Sequence, residues 1–394
     1  MLKTVRIIIC QFFASDLRKV LLIGLASRVV VFISAILGST LFGMGMDPLP
    51  YNIQTPFLGL FSNWDGGQYC GIALMGYQPG SNPLAGCWAW FPLYPFLIGA
   101  TGRLFFGIML WNEAIMLAGF LLSNFLFFTS LILFYKLSNK ILKNKKLAFL
   151  SSIFFCFWPG SLFYSSVYSE SLFMTLTLGA FYFLETGKNV KSTVLGFLAA
   201  FTRSNGFLVA VPFLYKGFKK HNIKPFIQAA FIAMPYFLFN IYGYFFTGLF
   251  PVQAIAYNQY FSNVDFFLLR LLDVLFNVEI GYALLFSIEY CLVLVPFVYL
   301  FLSKKLLLSV FSLGLKENGE EAKYFGFSLV HLVVLLFYSI VANVHRYAIP
   351  ILPLYWVFAR LWIKKPKLGL ISLALMISLL IIGTILFSTW RWYW

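Results

Sequence analysis

The sequence predicts an all-α polytopic membrane protein, and three observations carry this fold class. Only 11% of the 394 residues are charged, 61% are hydrophobic, and the mean hydropathy is +0.86. Soluble domains carry about 25% charged residues, so lipid must surround much of this chain. The apolar stretches are continuous, not alternating, which favours helices of roughly 20 residues per crossing over a membrane barrel.

The distribution of basic residues predicts how the chain threads the bilayer. The formal net charge is +16, but the lysines and arginines form short runs between apolar stretches, as cytoplasmic loops do, so nucleic-acid binding is not expected. The runs lie at residues 3–19, 136–146, 188–191, 216–224, 304–323 and 360–367. We therefore expect a cytoplasmic N-terminus, with no cleavable signal peptide before the first span.

Placing every basic run inside predicts about nine full spans within a single domain, residues 1–394. The first outer loop covers about 44–111, and its apolar stretch 89–110 is expected to lie along the interface. Cys70 and Cys87 share this loop, and whether they pair is left open. Residues 390–394 are expected to form an aromatic anchor at the outer interface. The predicted spans are about 20–43, 112–135, 147–165, 168–185, 225–248, 282–302, 324–342, 347–363 and 368–388.

The segment between Lys191 and Lys216 is too short for two spans, and one straight span would leave a basic run outside. Two half-helices that meet at residues 202–206 satisfy both flanks. Irregular backbone at membrane depth must be buried in protein or line a watery cavity, and an arginine there indicates a functional site. The fork of Arg203, with Asn205 beside it, suits phosphate oxygens. A structural ion pair between Arg203 and Glu170 is the alternative.

Residues 63–69 form the densest polar cluster of the first outer loop, and Asp65 lies there among aromatic residues and glycines. A carboxylate beside an acceptor hydroxyl can take its proton as the oxygen attacks, which makes Asp65 the candidate catalytic base. Trp64 and Tyr69 offer flat faces for a sugar, and Gln68 offers an amide. A turn with an aspartate cap is the alternative.

Two further polar groups lie near predicted outer ends of spans. Glu170, next to Tyr168 and several serines, is costly at a membrane boundary unless it is paired or hydrated. It is expected to position an acceptor or balance an arginine, or else to be an acid favoured at a helix start. His345 and Arg346 lie between two spans and suit a lipid phosphate. A snorkelling arginine with a capping histidine is the alternative.

No metal or cofactor is predicted, because the sequence has no ligand cluster with metal spacing and no nucleotide-binding loop. Of the 29 basic residues, six lie outside the runs and need another explanation. Three of the six, Arg28, Arg103 and Arg270, are interpreted as snorkelling or pairing residues. The other three are Arg203, Arg346 and Arg391.

In their order along the chain, these motifs resemble the GPI mannosyltransferase 2 family. The resemblance covers about residues 28–360 and rests on residues 64–69, 72–73, 76–77, 91–93, 168–173, 202–206 and 346–347. It implies a GT-C type transferase that uses polyprenyl- or dolichyl-phosphate mannose and a lipid-linked or GPI-like acceptor. In that scheme Asp65 is the base, the anomeric carbon inverts, and Arg203 and Arg346 stabilise the departing phosphate on the outer or luminal face.

The acceptor and the setting have alternatives. Gln68 stands where the family often has histidine, and the outer loops are compact, so a prokaryotic plasma-membrane relative with another glycan acceptor is favoured; a eukaryotic relative would lie in the endoplasmic reticulum membrane. Two other function classes remain open: a transporter or lipid scramblase, and a non-catalytic subunit of a glycosylation complex. The lack of a clean internal repeat weighs against a transporter.

Overall fold

The computed structural model describes residues 16–43, 56–77, 87–106, 111–260, 280–302, 319–337 and 344–391, and in these ranges the regular structure is helical throughout. The all-α prediction is thus confirmed for this part of the chain. Short 3₁₀ turns occur at Cys87–Ala89, Pro159–Tyr164 and Ser204–Ala210. The α-helices are α1 (Asp16–Phe42), α2 (Pro56–Gly59), α3 (Asp65–Met75), α4 (Leu93–Phe106), α5 (Trp111–Leu142), α6 (Lys145–Phe157), α7 (Glu170–Glu185), α8 (Asn189–Ala200), α9 (Val211–Lys220), α10 (Ile223–Thr247), α11 (Val252–Tyr260), α12 (Ile280–Leu302), α13 (Gly319–Phe337), α14 (Val344–Tyr347), α15 (Leu352–Lys364) and α16 (Pro366–Ser388).

Four described helices, α1, α5, α10 and α16, are long and apolar enough to cross a membrane, which makes this an integral membrane protein. The count of about nine full spans stays a prediction. Two predicted spans contain helices of only 13 residues, α6 and α15. The helix expected over 147–165 stops at Phe157, because Pro159 cannot continue it and the chain turns into a 3₁₀ segment.

Helix α5 lies at the centre of the bundle and packs against α1, α4, α6 and α7, while α16 packs against α1 and α15. Ser123, Ser130 and Ser138 of α5 are fully buried. Small residues let membrane helices approach closely, and their hydroxyls can bridge to a neighbour. Here the Ser138 hydroxyl accepts a hydrogen bond of 3.0 Å from Trp356 Nε1 on α15.

The helix break predicted at residues 202–206 is present. Helix α8 ends, Arg203 adopts an extended conformation, and a 3₁₀ turn leads into α9. A Cβ atom on Gly206 would lie 2.5 Å from the Ala199 carbonyl oxygen, so only glycine permits this approach to α8. Lys216 Nζ lies 3.4 Å from Asn189 Oδ1, which brings the end of α9 back to the start of α8. The two short helices therefore form a hairpin with Arg203 near its tip.

Charged side chains make contacts at both ends of the bundle. At one end, Lys323 and Glu185 form an ion pair of 2.5 Å, and Arg360 donates two hydrogen bonds to Glu321. At the other end, α1 and α16 finish together, and Arg391 donates to the Phe42 carbonyl oxygen at 3.2 Å. The loop before α3 also lies at this second end, which is where the ionic cluster described next is found.

Candidate active site

The loop that presents Asp65 is held from two sides. Asn63 Nδ2 donates to the carbonyl oxygen of Phe387, at the end of α16, over 3.1 Å. The Asp65 backbone N–H donates to the Tyr168 hydroxyl at 3.2 Å, and that hydroxyl donates to the Asn63 carbonyl oxygen at 3.1 Å. Asp65 is thus placed at the first turn of α3 by contacts to distant parts of the chain.

Trp64 reaches Asp65 through an unusual backbone conformation, with φ of 59° and ψ of −124°. Non-glycine residues seldom adopt positive φ, and the strain persists only where the surroundings impose it. The Trp64 ring stacks on Trp390, with centroids 4.4 Å apart and an interplanar angle of 30°. Trp390 is half-buried against the loop that carries Asp65, and the aromatic anchor expected for residues 390–394 at the outer interface stays a prediction; residues 392–394 lie outside the described residues.

Arg346, on α14, joins the two candidate acids. Its Nη1 donates to Asp65 Oδ2 over 2.6 Å, and its Nε donates to Glu170 Oε1 over 2.5 Å. Arg203 Nη1 donates to the same Glu170 oxygen. The Arg203–Glu170 pair raised as a structural alternative is therefore present, as part of a larger cluster of two carboxylates and two guanidinium groups.

This four-residue ionic cluster, Asp65, Glu170, Arg203 and Arg346, has a net formal charge of zero. Asp65 is 5% exposed, Glu170 2% and Arg346 6%. Burial alone would lower the pKa of Arg346, but the Glu170 and Asp65 carboxylates outweigh it and hold that pKa well above its usual range. Mutual pairing offsets the desolvation of the four charges, and loss of one member would leave a buried charge uncompensated.

The backbone before Arg346 rests on the 3₁₀ turn Pro159–Tyr164. Trp158 Nε1 donates to the His345 carbonyl oxygen at 2.7 Å. A Cβ atom on Gly160 would lie 2.4 Å from the same oxygen, so the two backbones touch at a glycine. The position of Arg346 therefore depends on this turn.

Arg28 holds the 3₁₀ turn Pro159–Tyr164 in place through hydrogen bonds. Its guanidinium group donates to the Ser161 carbonyl oxygen at 2.7 Å, to the Ser161 hydroxyl at 2.8 Å and to the Ser165 hydroxyl at 3.0 Å. It also lies 4.1 Å from the centroid of the Phe127 ring. Arg28 is 1% exposed, so the snorkelling interpretation is wrong; the residue is a buried structural donor.

His345 lies behind the cluster. Its Nδ1 is 2.7 Å from Glu289 Oε2 on α12, and both side chains are 2% exposed. Sequence reasoning did not single out Glu289, although a lone acid within the apolar run 280–302 was a usable signal. His331 was also missed, although it is a titratable residue within a predicted span. Its Nε2 lies 3.1 Å from Asn205 Nδ2.

The larger cavity at the cluster contains about 400 Å³ of empty space, part of it open to the surroundings. Asp65, Tyr69, Arg203 and Arg346 all contribute to its wall. Tyr257 of α11, in a segment where the sequence indicated nothing, also contributes. The full lining is Asp65, Tyr69, Ala89, Trp90, Phe91, Thr202, Arg203, Ser204, Tyr257, Arg346 and Tyr347.

A second, smaller cavity shares three of these residues, Arg203, Arg346 and Tyr347. It is lined by Glu170, Phe173, Met174, Arg203, Asn205, Arg346, Tyr347, Ile349 and Pro350. Glu170 Oε2 and Asn205 Oδ1 are buried acceptors with no hydrogen-bond donor within reach among the described residues. Trp64, Gln68, Tyr168 and His345 line neither cavity, so their roles as ligand contacts stay predictions.

Other predicted features are local. No disulfide joins Cys70 to Cys87. Arg103 donates to the Ala73 carbonyl oxygen at 2.8 Å, while Arg270 lies outside the described residues. Within the described ranges, no group of three or more histidine, cysteine or acidic side chains is placed to hold a metal ion.

Together, the helical bundle and the ionic cluster define a membrane protein with a buried, charge-lined cavity at one end. The chain belongs to the family described as Mannosyltransferase (PIG-V), whose model matches residues 49–306. This confirms the family resemblance that the motifs predicted.

Individual relatives agree with this assignment. GPI alpha-1,6-mannosyltransferase 2 of Rattus norvegicus is 30% identical over 207 residues, covering 48% of this chain and 41% of the relative. The Homo sapiens protein of the same name is 34% identical over 161 residues, covering 40% and 31%. GPI mannosyltransferase 2 of Drosophila melanogaster is 29% identical over 166 residues, covering 38% and 34%. The chain spans about two fifths or less of the length of these relatives.

Among solved structures, the apo oligosaccharyltransferase of Archaeoglobus fulgidus is similar with a TM-score of 0.45 and 11% identity. The similarity covers 93% of this chain and 55% of that one.

Proposed function

We propose that this protein is a GT-C type membrane glycosyltransferase that moves mannose from a polyprenyl or dolichyl phosphate to a hydroxyl of a lipid-linked or GPI-like acceptor. The observation that carries the proposal is one cavity with Asp65, Arg203 and Arg346 in its wall. A base for an incoming hydroxyl and cations for an outgoing phosphate are the two groups that such a transfer requires. The family assignment supports mannose as the sugar.

In the proposed reaction, a carboxylate oxygen of Asp65 takes the proton of the acceptor hydroxyl. The acceptor oxygen forms a bond to the anomeric carbon while the bond from that carbon to the phosphate oxygen breaks. The electron pair stays on the phosphate, and the configuration inverts. Arg203 and Arg346 stabilise the negative charge that develops on the phosphate, in a site from which most water is excluded.

The Arg346 guanidinium donates a hydrogen bond to Asp65 Oδ2 over 2.6 Å. The same contact orients the carboxylate. Tyr69 packs edge-on against Tyr94, with centroids 5.1 Å apart, and donates to or accepts from the Ser169 hydroxyl at 2.8 Å. Tyr69 and Tyr347 then offer aromatic surface to the sugar within the larger cavity.

The face of the membrane follows from charge. Lys216, which contacts Asn189, and Lys323, which pairs with Glu185, lie at the opposite end of the bundle from Asp65. Under the positive-inside rule that end is cytoplasmic, and the reaction takes place on the outer or luminal face. The setting is a prokaryotic plasma membrane or, in a eukaryote, the endoplasmic reticulum membrane.

The test is transfer by the purified protein in nanodiscs, with radiolabelled polyprenyl-phosphate mannose and a panel of glycolipid acceptors. Asp65→Asn should reduce the transfer rate by roughly 10³-fold or more, since the amide cannot take a proton. Asp16→Asn is the matched control, because Asp16 is half-exposed at the start of α1. Transfer retained by folded Asp65→Asn protein would end the base assignment.

Competing functions give different results in the same preparation. A transporter or scramblase would move labelled lipid across vesicles without forming a mannosylated product. A non-catalytic subunit of a glycosylation complex would be inert alone with every acceptor. Neither has a structural observation in its favour here that the transferase lacks.

A further inference from the structure

We propose that Glu170 sets how tightly the site holds the released lipid phosphate, and thereby the rate of product release. The inference rests on the proposed transfer reaction and concerns the step after it. Glu170 Oε1 accepts hydrogen bonds from both Arg203 and Arg346, the two cations assigned to the phosphate. Glu170 is thus a resident anion at an anion-binding site.

The charge of Glu170 decides whether the site with bound phosphate is neutral or negative. Asp65 and Glu170 neutralise Arg203 and Arg346, so the cluster is neutral before the donor binds. A lipid phosphodiester brings one negative charge. Transfer then moves a proton to Asp65 and leaves a phosphate dianion, so the total stays at minus one. Without the charge of Glu170 the total would be zero, and the bound phosphate would be fully compensated.

The geometry lets carboxylate and phosphate share the arginines. Glu170 uses one N–H of Arg203 and one of Arg346, and each guanidinium group carries five N–H donors. The other donors can turn to phosphate oxygens while Glu170 stays in place. The two anions then repel each other across a buried site of low dielectric constant, where like charges interact strongly. Product leaves more readily as a result.

Burial makes the repulsion effective. Glu170 is 2% exposed, and its Oε2 has no donor within reach among the described residues. Little solvent is therefore available to screen its charge. If Glu170 served only to bridge the two arginines, loss of its charge would lower the stability of the site and would not slow the step after transfer. This difference separates a product-release role from a purely structural one.

Glu170→Gln keeps an oxygen acceptor and removes the charge. We expect this variant to bind farnesyl phosphate roughly tenfold more tightly than the wild type, measured by calorimetry in detergent. In transfer assays, KM for the donor and kcat should fall together. Rapid-quench kinetics should show a burst, in which the first product per site forms at the normal rate and later turnovers are slow.

A second variant, which adds a negative charge to the site, tests the same idea if Glu170→Gln fails to fold. Asn205 lines the smaller cavity with Glu170 and Arg203. Asn205→Asp adds a charge there, and it should bind farnesyl phosphate roughly tenfold more weakly, without a burst. Asn205→Ser is the neutral control for the lost amide.

The idea is overturned if Glu170→Gln binds the phosphate no more tightly, or if its first turnover is as slow as the later ones. Equal affinities of Asn205→Asp and Asn205→Ser would overturn it as well. The binding measurement needs no turnover. An active wild type with unchanged affinities in the variants therefore refutes only the role of Glu170, whereas a wild type that transfers no sugar refutes the proposed function.

Discussion

Arg346 Nη1 lies 2.6 Å from Asp65 Oδ2, although the two residues are 281 positions apart in the sequence. The contact joins the short helix α14 to the first turn of α3. It also places the candidate base next to one of the two candidate phosphate ligands. Four predictions follow from how this contact is built and supported.

Arg203 should matter for donor use far more than Arg391 does. Arg203 lines both cavities and is paired with Glu170, whereas Arg391 is exposed and donates to the Phe42 carbonyl oxygen. Loss of a charge-assisted phosphate contact should raise KM for the donor by about tenfold or more in Arg203→Ala. Arg391→Ala should stay within about twofold. Initial rates over a range of donor concentrations measure both, and equal effects would refute the phosphate role.

Gly160→Ala should displace Arg346 although it replaces no residue of the ionic cluster. The added methyl group would lie 2.4 Å from the His345 carbonyl oxygen, and backbone cannot yield as a flexible side chain can. We expect a loss of about 1–3 kcal/mol in unfolding free energy, and a fall in kcat of roughly tenfold from misplacement of the guanidinium group.

Gly326→Ala is the control for this change, because a Cβ atom at Gly326 meets open space within its helix. It should be neutral or slightly stabilising, since alanine favours a helix over glycine. Thermal unfolding measures the stability of both variants, and steady-state kinetics measure their kcat. A Gly160→Ala protein with normal kcat would show that Arg346 does not depend on the turn beneath it.

Trp390 should affect catalysis through Trp64. Its ring stacks on Trp64, whose positive φ must be held by its surroundings. Trp390→Ala should lower kcat by roughly tenfold while KM for the donor changes little, and Trp390→Phe should restore most of the rate because a flat ring remains. Trp362→Ala removes a half-buried tryptophan of α15 and serves as control. If both alanine variants lower kcat equally, the effect is one of general stability.

Arg28 should contribute to stability, because it donates to the turn on which Arg346 rests. Replacing it with leucine removes four buried hydrogen bonds and leaves the Ser161 carbonyl oxygen without this donor. We expect a loss of roughly 3 kcal/mol in unfolding free energy. Arg103→Leu is the comparison, because Arg103 is exposed and its change should cost less than about 1 kcal/mol. Similar melting temperatures for the two variants would contradict the structural role of Arg28.

The sequence singled out all four members of the ionic cluster because membrane burial makes charge conspicuous. Asp65, Glu170, Arg203 and Arg346 each stand out as polar residues where lipid would be expected nearby. Glu289 and His331 follow the same rule but were overlooked, since each lies inside a run that had already been assigned as a span. Tyr257 offered no signal of this kind, because an aromatic residue is ordinary in an apolar chain.

The contacts among these residues were outside the reach of sequence reasoning. Among the described residues Arg28 has no acid partner, and three of its four acceptors come from a turn more than 130 positions away. Nothing local distinguishes it from a snorkelling arginine. The same holds for Trp390, whose position against Trp64 depends on how α1 and α16 end together.

Local sequence features were enough to predict a helical membrane protein, a broken helix near Arg203 and the family to which the chain belongs. Hydropathy, basic runs and proline or glycine breaks act over a few residues, so they can be read locally. The packing of the helices was needed to show that one oxygen of Glu170 contacts both Arg203 and Arg346, and that Arg346 also contacts Asp65. Those contacts depend on how helices distant in sequence pack, because a buried charge is stable only where a partner from elsewhere meets it.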